Sequence, residues 1–431
     1  MTLNQVQLKV MLSLRKVANI MKNRIYKRKV FDEIIQYLQE DVILVINGAR
    51  QVGKTYILFY LEKYLKKKNK ISYYLDLEDS RYLNILDAGV DAFIRHLKEE
   101  GFNTDKRIYV LLDEIQYLEN PSSFLKLIHD HHKTIKLIVS GSSSFGIKKK
   151  FKDSLVGRTV IFEIFPLCLE EFLEFKGYKF VRGVSFTDKK IDELKALLKE
   201  YVLCGSYPKI VLTQTKEKKE RFLQQIIDTY IKKDIRDIGN IKEIDKFNKL
   251  IEVLSSQSGN LLNITELSNT CRLAKKTVEY YLFILENTYI IKLVKPYHSN
   301  LRSELFKTPK IYFYDTGLLQ MLQLKTIPGA IIGNVFETAV FSELVKRCGK
   351  DRIFYWRTKD KKEIDFIFRQ NDKILPVEVK YNFFCFSKTA INYFLKKYNL
   401  KDYRVIGFEG DLNQEEFMYL WEEIYPNCGS S

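Results

Sequence analysis

The stretch Gly48-Ala49-Arg50-Gln51-Val52-Gly53-Lys54-Thr55 constrains this chain more than any other feature, because it fits the pattern G-x-x-x-x-G-K-[ST] and stands between two readable elements. Ahead of it, Val42 to Ile46 is an unbroken apolar run that suits a strand buried on both faces. Behind it, Thr55 to about Lys66 reads as a helix. A loop between a buried strand and a helix N-terminus turns backbone N–H groups inward and adds the positive end of the helix dipole, which together cradle phosphate oxygens. In this reading Gly48, Ala49, Arg50, Gln51, Val52 and Gly53 supply the cradle. Lys54 places a charge between the β- and γ-phosphates, and the Thr55 hydroxyl is a magnesium ligand.

Further strands are expected at Ile71–Asp76, Ile108–Leu112 and Ile135–Val139, with helical patterns between them. That alternation predicts an α/β fold with a mostly parallel sheet and helices on both faces. Four of the five residues before Asp113 are aliphatic, which buries the strand and puts Asp113 at its carboxyl end. Asp113 is the expected Mg²⁺ partner, and Glu114 the residue that orients the attacking water. No guanine-specificity motif N-K-x-D is present, so ATP is the expected nucleotide. Ser140 and Ser142 close the fourth run, as a γ-phosphate sensor or as a simple turn, and Arg158 is a candidate arginine finger, acting in its own chain or on a neighbouring subunit, or a surface ion pair.

At roughly 100–200 residues per domain, the 431 residues imply two to four domains. No apolar run reaches the ~20 residues needed to span a bilayer, and no secretory h-region follows Met1, so no stable membrane insertion is expected. The six cysteines form no C-x-x-C pair, which argues against a zinc site or disulfide framework and for a cytoplasmic setting. The formal charge of +17 points to a polyanionic partner, nucleic acid first, although a lysine-rich genome raises such counts too. The first 30 residues carry eight basic side chains and no acid; we read 1–23 as a dispensable extension, with a phosphate-contacting arm or peripheral membrane stretch as the alternatives.

Residues 24–165 are therefore expected to form the ATPase core and 166–240 a helical lid. In 241–327, three helical patterns and a strand pair have the order of a winged helix. Its second-to-third helix region places Lys275, Lys276 and Thr277 at the start of a recognition helix, with Tyr280, Tyr281 and Phe283 expected in the core. Residues 328–431 are α/β again, with helices expected at 335–347, 389–398 and 415–424. His129-Asp130-His131-His132 lies on a helical pattern and is read as inert.

The C-terminal region carries a second chemistry. In strands 363–368 and 374–380, Glu363 and Asp365 share one face, as do Glu378 and Lys380. A hairpin at Gln370-Asn371-Asp372 would cluster Asp365, Glu378 and Lys380, with Glu337 approaching from a helix. Carboxylates hold a hard divalent cation such as Mg²⁺ or Mn²⁺, and a lysine stabilises developing charge on phosphate. The competing reading is a solvated strand face with a salt bridge.

The motifs together resemble the prokaryotic AAA-type ATPases that carry a C-terminal domain of unknown function. The resemblance rests on the runs Asn47–Thr55, Leu111–Gln116, Ser140–Ser143, Gly157-Arg158 and Phe165–Leu167. It continues through Gly205-Ser206-Tyr207-Pro208, Tyr314–Leu318, Gly333–Glu337 and Tyr355-Trp356-Arg357, covering about residue 24 to the end. One departure is Ser206, where a second glycine is expected. The resemblance implies an ASCE-type P-loop core, a helical lid, a winged helix and a restriction-nuclease-like domain. The last is similar to the PD-(D/E)xK nucleases, with Asp365 as the lone aspartate and Glu378-Val379-Lys380 as the (D/E)xK element. The expected function is an ATPase, monomeric or homo-oligomeric, whose nucleotide cycle controls metal-dependent cleavage of DNA. The alternative is an ATP-driven regulatory or assembly switch in which the nuclease-like domain only binds nucleic acid or protein.

Overall fold

The computed structural model describes residues 25–141, 155–181, 186–236, 239, 241–297, 308–371, 373–412 and 414–422. The basic run 1–23, Ser142 and residues 148–150 lie outside them. The chain divides after Ile164 into two compact units.

In the first unit, helix α1 (Val30–Ile34) precedes strand β1 (Ile43–Gly48) and helix α2 (Lys54–Lys67). Then come β2 (Ile71–Asp76), α3 (Ser80–Asp87), α4 (Val90–Glu99), β3 (Ile108–Asp113), α5 (Pro121–His131), β4 (Ile135–Gly141) and β5 (Thr159–Ile164). Among the described residues these strands form one five-stranded parallel sheet in the order β2-β3-β4-β1-β5. β4 thus stands between the strand feeding the phosphate loop and the strand ending in Asp113, and both end on the same edge of the sheet. Every residue of β1, β3 and β4 is buried, as their continuous apolar runs require. Ile43, Val45, Val110, Leu112, Leu137 and Val139 meet Leu86, Phe93, Leu97, Leu125 and Ile128 of α3 to α5 in one core. The alternate residues Leu44 and Ile46 are equally buried. On α2 the inward residues Ile57, Leu58, Leu61 and Leu65 follow the helical period, and each such burial stabilises by about 1.5–3 kcal/mol.

β5 was not legible in the sequence. It is an edge strand with Ile161 56% exposed, so its apolar residues do not form a buried run. It lies beside β1 from Ile43 opposite Thr159 to Gly48 opposite Ile164. A Cβ at Gly48 would stand 2.2 Å from the Ile164 carbonyl oxygen, so strand packing alone already demands glycine there. Lys136, inside the apolar run of β4, is buried because its Nζ donates to the carbonyls of Tyr37, Glu40 and Val42 at 2.8, 2.8 and 2.5 Å.

The second unit opens with helices α6 (Leu169–Phe175), α7 (Asp188–Cys204), α8 (Pro208–Val211) and α9 (Lys216–Ile226), and a π-helical turn at Ile227–Ile235. Helices α10 (Ile244–Ser256), α11 (Ile264–Cys271) and α12 (Lys275–Asn287) follow. Strands β6 (Ile291–Val294) and β7 (Lys310–Phe313) pair antiparallel, with Ile291 opposite Phe313. Asn263 caps α11 by accepting from Thr265 and Glu266 backbone N–H groups. On α12, Val278, Tyr281, Leu282 and Leu285 point inward. Tyr280 and Phe283 are 43% and 51% exposed, so the expectation that they are core is corrected: the helical period places them on the outer face with Lys275 and Lys276.

After α13 (Thr316–Leu324) and α14 (Gly333–Cys348), the chain forms β8 (Ile353–Arg357), β9 (Glu363–Gln370), β10 (Lys373–Asn382), α15 (Thr389–Tyr398), β11 (Arg404–Glu409) and β12 (Phe417–Tyr419). Among the described residues these strands make a mixed sheet in the order β12-β11-β10-β9-β8, antiparallel across β8-β9-β10 and parallel across β10-β11-β12. The helix expected over 415–424 is instead the short strand β12, because Phe417 to Trp421 is a continuous apolar run and all five residues are buried.

Two runs that drew attention in the sequence meet in a buried polar junction. Asp315 accepts from the Ser206 backbone N–H at 2.7 Å and from Leu318 N–H at 3.0 Å, capping α13. Gly205 has φ +74°, and a Cβ there would lie 2.3 Å from Asp315 Oδ1. Lys346 Nζ donates to the Tyr201 hydroxyl at 2.9 Å and to Ser206 Oγ at 2.8 Å, so serine in place of the expected glycine gives this half-buried lysine a partner. Glu343, fully buried, accepts from Leu169 N–H at 2.9 Å and Tyr201 OH at 2.8 Å and pairs with Arg347 at 2.5 Å. Residues 205–208 and 314–318 are thus architectural.

Candidate nucleotide site and carboxylate cluster

The phosphate loop leaves β1 at Gly48 and enters α2 through Gly53, whose φ of +97° is the left-handed conformation that glycine adopts without strain. The side chains of Ala49 and Val52 are buried at 1% and 0% exposure, which leaves the loop backbone as the surface for phosphate. Arg28 braces the loop from behind, donating from Nη1 to the Val52 carbonyl at 2.7 Å. Lys54 lies back across the loop, with Nζ 2.8 Å from the Ala49 carbonyl oxygen and 3.3 Å from that of Gly48. Burial pushes its ammonium pKa down to about 8, against the pull of Glu114 and Asp113. Thr55 sits in the first turn of α2, half-buried, and Arg50 and Gln51 lie on the more open side of the loop.

Asp113 ends β3 at 2% exposure with both carboxylate oxygens engaged. The Tyr74 hydroxyl donates to Oδ2 at 2.9 Å, the Glu114 N–H to Oδ1 at 3.1 Å, and Ser140 Oγ to Oδ1. Burial, reinforced by Asp113 and Asp76, pushes the Tyr74 hydroxyl well above its ordinary pKa, so it stays a proton donor. Glu114 adopts φ +56°, ψ +50°, a left-handed conformation uncommon for a non-glycine residue, and Gln116 Nε2 donates to its carboxylate. Tyr74 and Gln116 escaped the sequence reading. Tyr74 stands two residues before the end of β2, in register with the strand that ends in Asp113, and that alignment is its only signal.

Ser140 is thus held on Asp113, while Ser142 lies outside the described residues. Arg158 does not reach the phosphate loop of its own chain. It precedes β5, and its carbonyl accepts from Ile43 N–H at the start of β1, whereas the phosphate loop leaves the far end of that strand. At ~3.3 Å per residue the two ends are roughly 17 Å apart, too far for a finger within one chain. Its guanidinium is engaged instead by Asp130, Nε to Oδ1 at 2.8 Å and Nη2 to Oδ2 at 3.1 Å.

The second cluster lies in the second unit. Asp365 and Glu363 stand on β9, Glu378 and Lys380 on the antiparallel neighbour β10, and Glu337 on α14. Lys380 Nζ is 2.7 Å from Glu378 Oε1 and 3.9 Å from Asp365 Oδ2, and Val379 N–H donates to Asp365 Oδ2 at 2.8 Å. Strand β7 adds residues that spacing did not reveal. Lys310 Nζ lies 2.5 Å from Glu363 and 3.5 Å from Glu337, and Tyr312 OH donates to Glu337 Oε1 at 2.5 Å. Arg357 closes on Glu363 at 3.0 Å.

Crowding raises the acids. Burial and then Asp365 push the Glu337 and Glu378 carboxyls up to about 7, and burial raises Asp365. Burial opposes the charge on Lys380, but Asp365 and Glu378 outweigh it and raise its pKa. Glu378 Oε2 is buried with no hydrogen-bond partner, in a residue only 8% exposed. That orphaned oxygen beside Asp365 suits a hard cation by donor type. Among the described residues, however, no three acidic, histidine or cysteine side chains converge as a complete ligand set, and lysines pair with the carboxylates.

Three family models match separate stretches of the chain. A family model described as an AAA domain matches residues 40–173. The chain carries an AAA-type ATPase core. Nucleotide binding and hydrolysis, with a divalent metal at the phosphates, belong to that core. Two models described as domains of unknown function, DUF8612 and DUF4143, match residues 195–327 and 332–416. An uncharacterized protein of Haemophilus influenzae is 29% identical over 373 residues, covering 84% of this chain and 88% of that one. An uncharacterized protein of Methanocaldococcus jannaschii is 28% identical over 361 residues, covering 81% and 78%. Among solved structures, the Walker-type ATPase of Pyrococcus abyssi aligns at TM-score 0.40 and 13% identity over 69% of this chain and 96% of that one. DnaA of Aquifex aeolicus aligns at 0.29 and 17% over 61% and 90%. Both scores lie below 0.5, and neither likeness bears on what this chain does. Among the described residues no helix is long and apolar enough to cross a membrane.

Proposed function

We propose that the AAA core takes ATP and that its cycle controls a metal-dependent nuclease acting on DNA through the C-terminal carboxylates. At the core, backbone N–H groups of 48–53 would receive the phosphates. Lys54 would leave the Ala49 and Gly48 carbonyls for the β- and γ-oxygens. Magnesium, held by Thr55 with Asp113 through water, would offset charge on those oxygens. Tyr74 and Ser140 fix the Asp113 carboxylate, and Glu114 would leave Gln116 to orient water.

In the second unit, Asp365 and Glu378 are the residues that would hold Mg²⁺ or Mn²⁺, which would polarise the scissile phosphate and acidify a bound water. Lys380, fixed between the two acids, would stabilise charge developing on the phosphate. Glu337 would complete the site from α14. The observation that carries this reading is the convergence of Asp365, Glu378 and Lys380 around the unpartnered Glu378 oxygen. In domain terms, 166–240 is a lid, 241–327 a winged helix and 328–431 the nuclease-like domain. The outer face of α12, with Lys275, Lys276, Tyr280 and Phe283, would meet DNA, and the net charge of +17 favours such a partner. Homo-oligomers and a cytoplasmic location fit the same reading.

A second reading has its own support: with Lys310 and Lys380 on the carboxylates, the domain could bind nucleic acid or protein without cutting, as the output of an ATP switch. Incubating linear, forked and single-stranded DNA with Mg²⁺ or Mn²⁺ separates the two. Cutting that disappears in Asp365→Asn supports the nuclease. Absence of cutting under every condition, with ATP still hydrolysed, supports the switch.

A further inference from the structure

Lys310 belongs to the two-stranded sheet β6-β7, not to the sheet that carries Asp365 and Glu378. Its residue is 3% exposed, and its Nζ lies between Glu363 and Glu337 at 2.5 and 3.5 Å. Tyr312, two residues on and therefore on the same face of β7, donates to the same Glu337 oxygen. The turn after α10 reaches the same acid: a Cβ on Gly259 would lie 3.6 Å from both Glu337 carboxylate oxygens. Beside it, the Ser258 and Thr338 hydroxyls are 2.8 Å apart. The segment from α10 to β7 therefore grips the end of α14 that presents Glu337 to the cluster.

The charges here are four acids, Glu337, Glu363, Asp365 and Glu378, faced by Lys310, Lys380 and Arg357. A lysine ammonium set between two carboxylates offsets the same repulsion that a divalent cation would offset. A dication arriving beside it meets a like charge at short range in a poorly solvated place, where such repulsion is strong. Resting on the nuclease-site reading above, we infer that Lys310 is a resident counter-cation of the carboxylate cluster, supplied by β7, and that a divalent cation binds there in competition with it. The position of β7 then sets the cation affinity of the site. A displacement of β7 that withdraws Lys310 and Tyr312 would free Glu337 to join Asp365 and Glu378 as a ligand, while Glu363 would stay paired with Arg357.

The test is a titration of nucleotide-free full-length protein with Mn²⁺, free ion being read by its paramagnetic resonance signal, so the readout is binding and not activity. Lys310→Met is expected to bind Mn²⁺ at least about tenfold more tightly than the wild type, which is about 1.4 kcal/mol. Lys310→Arg, which keeps the charge, should stay near the wild type. Asp365→Asn should remove the site in either background. Tryptophan fluorescence reports the fold of this unit, since Trp356 and Trp421 are the chain's two tryptophans. Lys310→Gln, with a polar end for Glu337 and Glu363, carries the same expectation should Lys310→Met not fold. Unchanged or weaker binding in the folded neutral variants, with binding still lost in Asp365→Asn, overturns the counter-cation role alone. Mn²⁺ binding indifferent to Asp365→Asn, or absent from every variant, overturns the cation site and the inference with it.

Discussion

Replacing Glu343 by Gln should destabilise the second unit far more than a surface substitution. The side chain is wholly buried and its carboxylate is shared among Leu169 N–H, Tyr201 OH and Arg347. Burial alone would raise its pKa, yet Arg347 and Lys346 outweigh burial and hold it below the ordinary range. Glutamine keeps the volume but removes the charge, leaving two half-buried cations, Lys346 and Arg347, with Asp315 and Glu171 as the remaining acids around Lys346. Breaking one side of a buried ion pair costs about 3–5 kcal/mol, because the surviving charge stays desolvated. With a urea slope of about 3 kcal/mol/M, the unfolding midpoint should fall by about 1–1.7 M. Both tryptophans lie in this unit, and Trp421 is flanked by Leu420 and Glu422, whose carbonyls accept from Arg347 at 3.0 Å each, so fluorescence reads the transition directly. Glu343→Leu combined with Arg347→Met should recover at least half of the loss, since removing both charges spares the desolvation cost. A loss below about 1 kcal/mol for Glu343→Gln, or a double variant as unstable as the sum of the singles, would refute the account of this junction.

Tyr74→Phe removes one hydrogen bond to a charged group, about 1.5 kcal/mol, and should lower nucleotide turnover about tenfold; phosphate release at an unchanged rate would show that Asp113 does not need it. Arg158→Ala should leave turnover within about twofold, because it removes only a half-exposed ion pair with Asp130, whereas a fall of about a thousandfold would restore the finger. The cluster also predicts a pH dependence. Glu337 and Glu378 hold their protons to about pH 7 in the folded chain, above the ordinary value of 4.5. A raised folded pKa gives stability that is complete below 4.5 and lost as pH rises through 7. The metal-free second unit should therefore weaken across that window in tryptophan-monitored urea melts, while Mn²⁺ affinity rises and levels off above it. A flat profile for both quantities would contradict the crowding of these acids.

The sequence exposed what depends on local chemistry. The phosphate loop needs a contiguous octapeptide, and the alternation of Glu363, Asp365, Glu378 and Lys380 follows from the two-residue period of strands. It hid what depends on pairing between distant segments. β5 and β12 are edge strands whose membership is decided by their neighbours, β1 and β11. Tyr74 reaches Asp113 only because β2 and β3 lie in register, and Lys310 reaches Glu337 across 27 positions of chain. Arg158 stands in a family motif, but that motif sits at the amino end of its strand, away from the phosphate loop of the same chain. Tyr280 and Phe283 face outward because the helical period of α12 turns them away from Val278, Tyr281 and Leu285, which aromatic character alone does not reveal.

Nucleotide dependence of DNA cutting tests most directly the claim that the AAA core governs the carboxylate site. Wild type, Lys54→Ala, Glu114→Gln and Asp365→Asn would be assayed with Mg²⁺ or Mn²⁺ in the presence and absence of ATP. The account predicts wild-type cutting that changes with ATP, no ATP response in Lys54→Ala, a response held in its ATP-bound state in Glu114→Gln, and no cutting in Asp365→Asn. Cutting that is lost in Asp365→Asn yet identical with and without ATP, in wild type and Lys54→Ala alike, would contradict it.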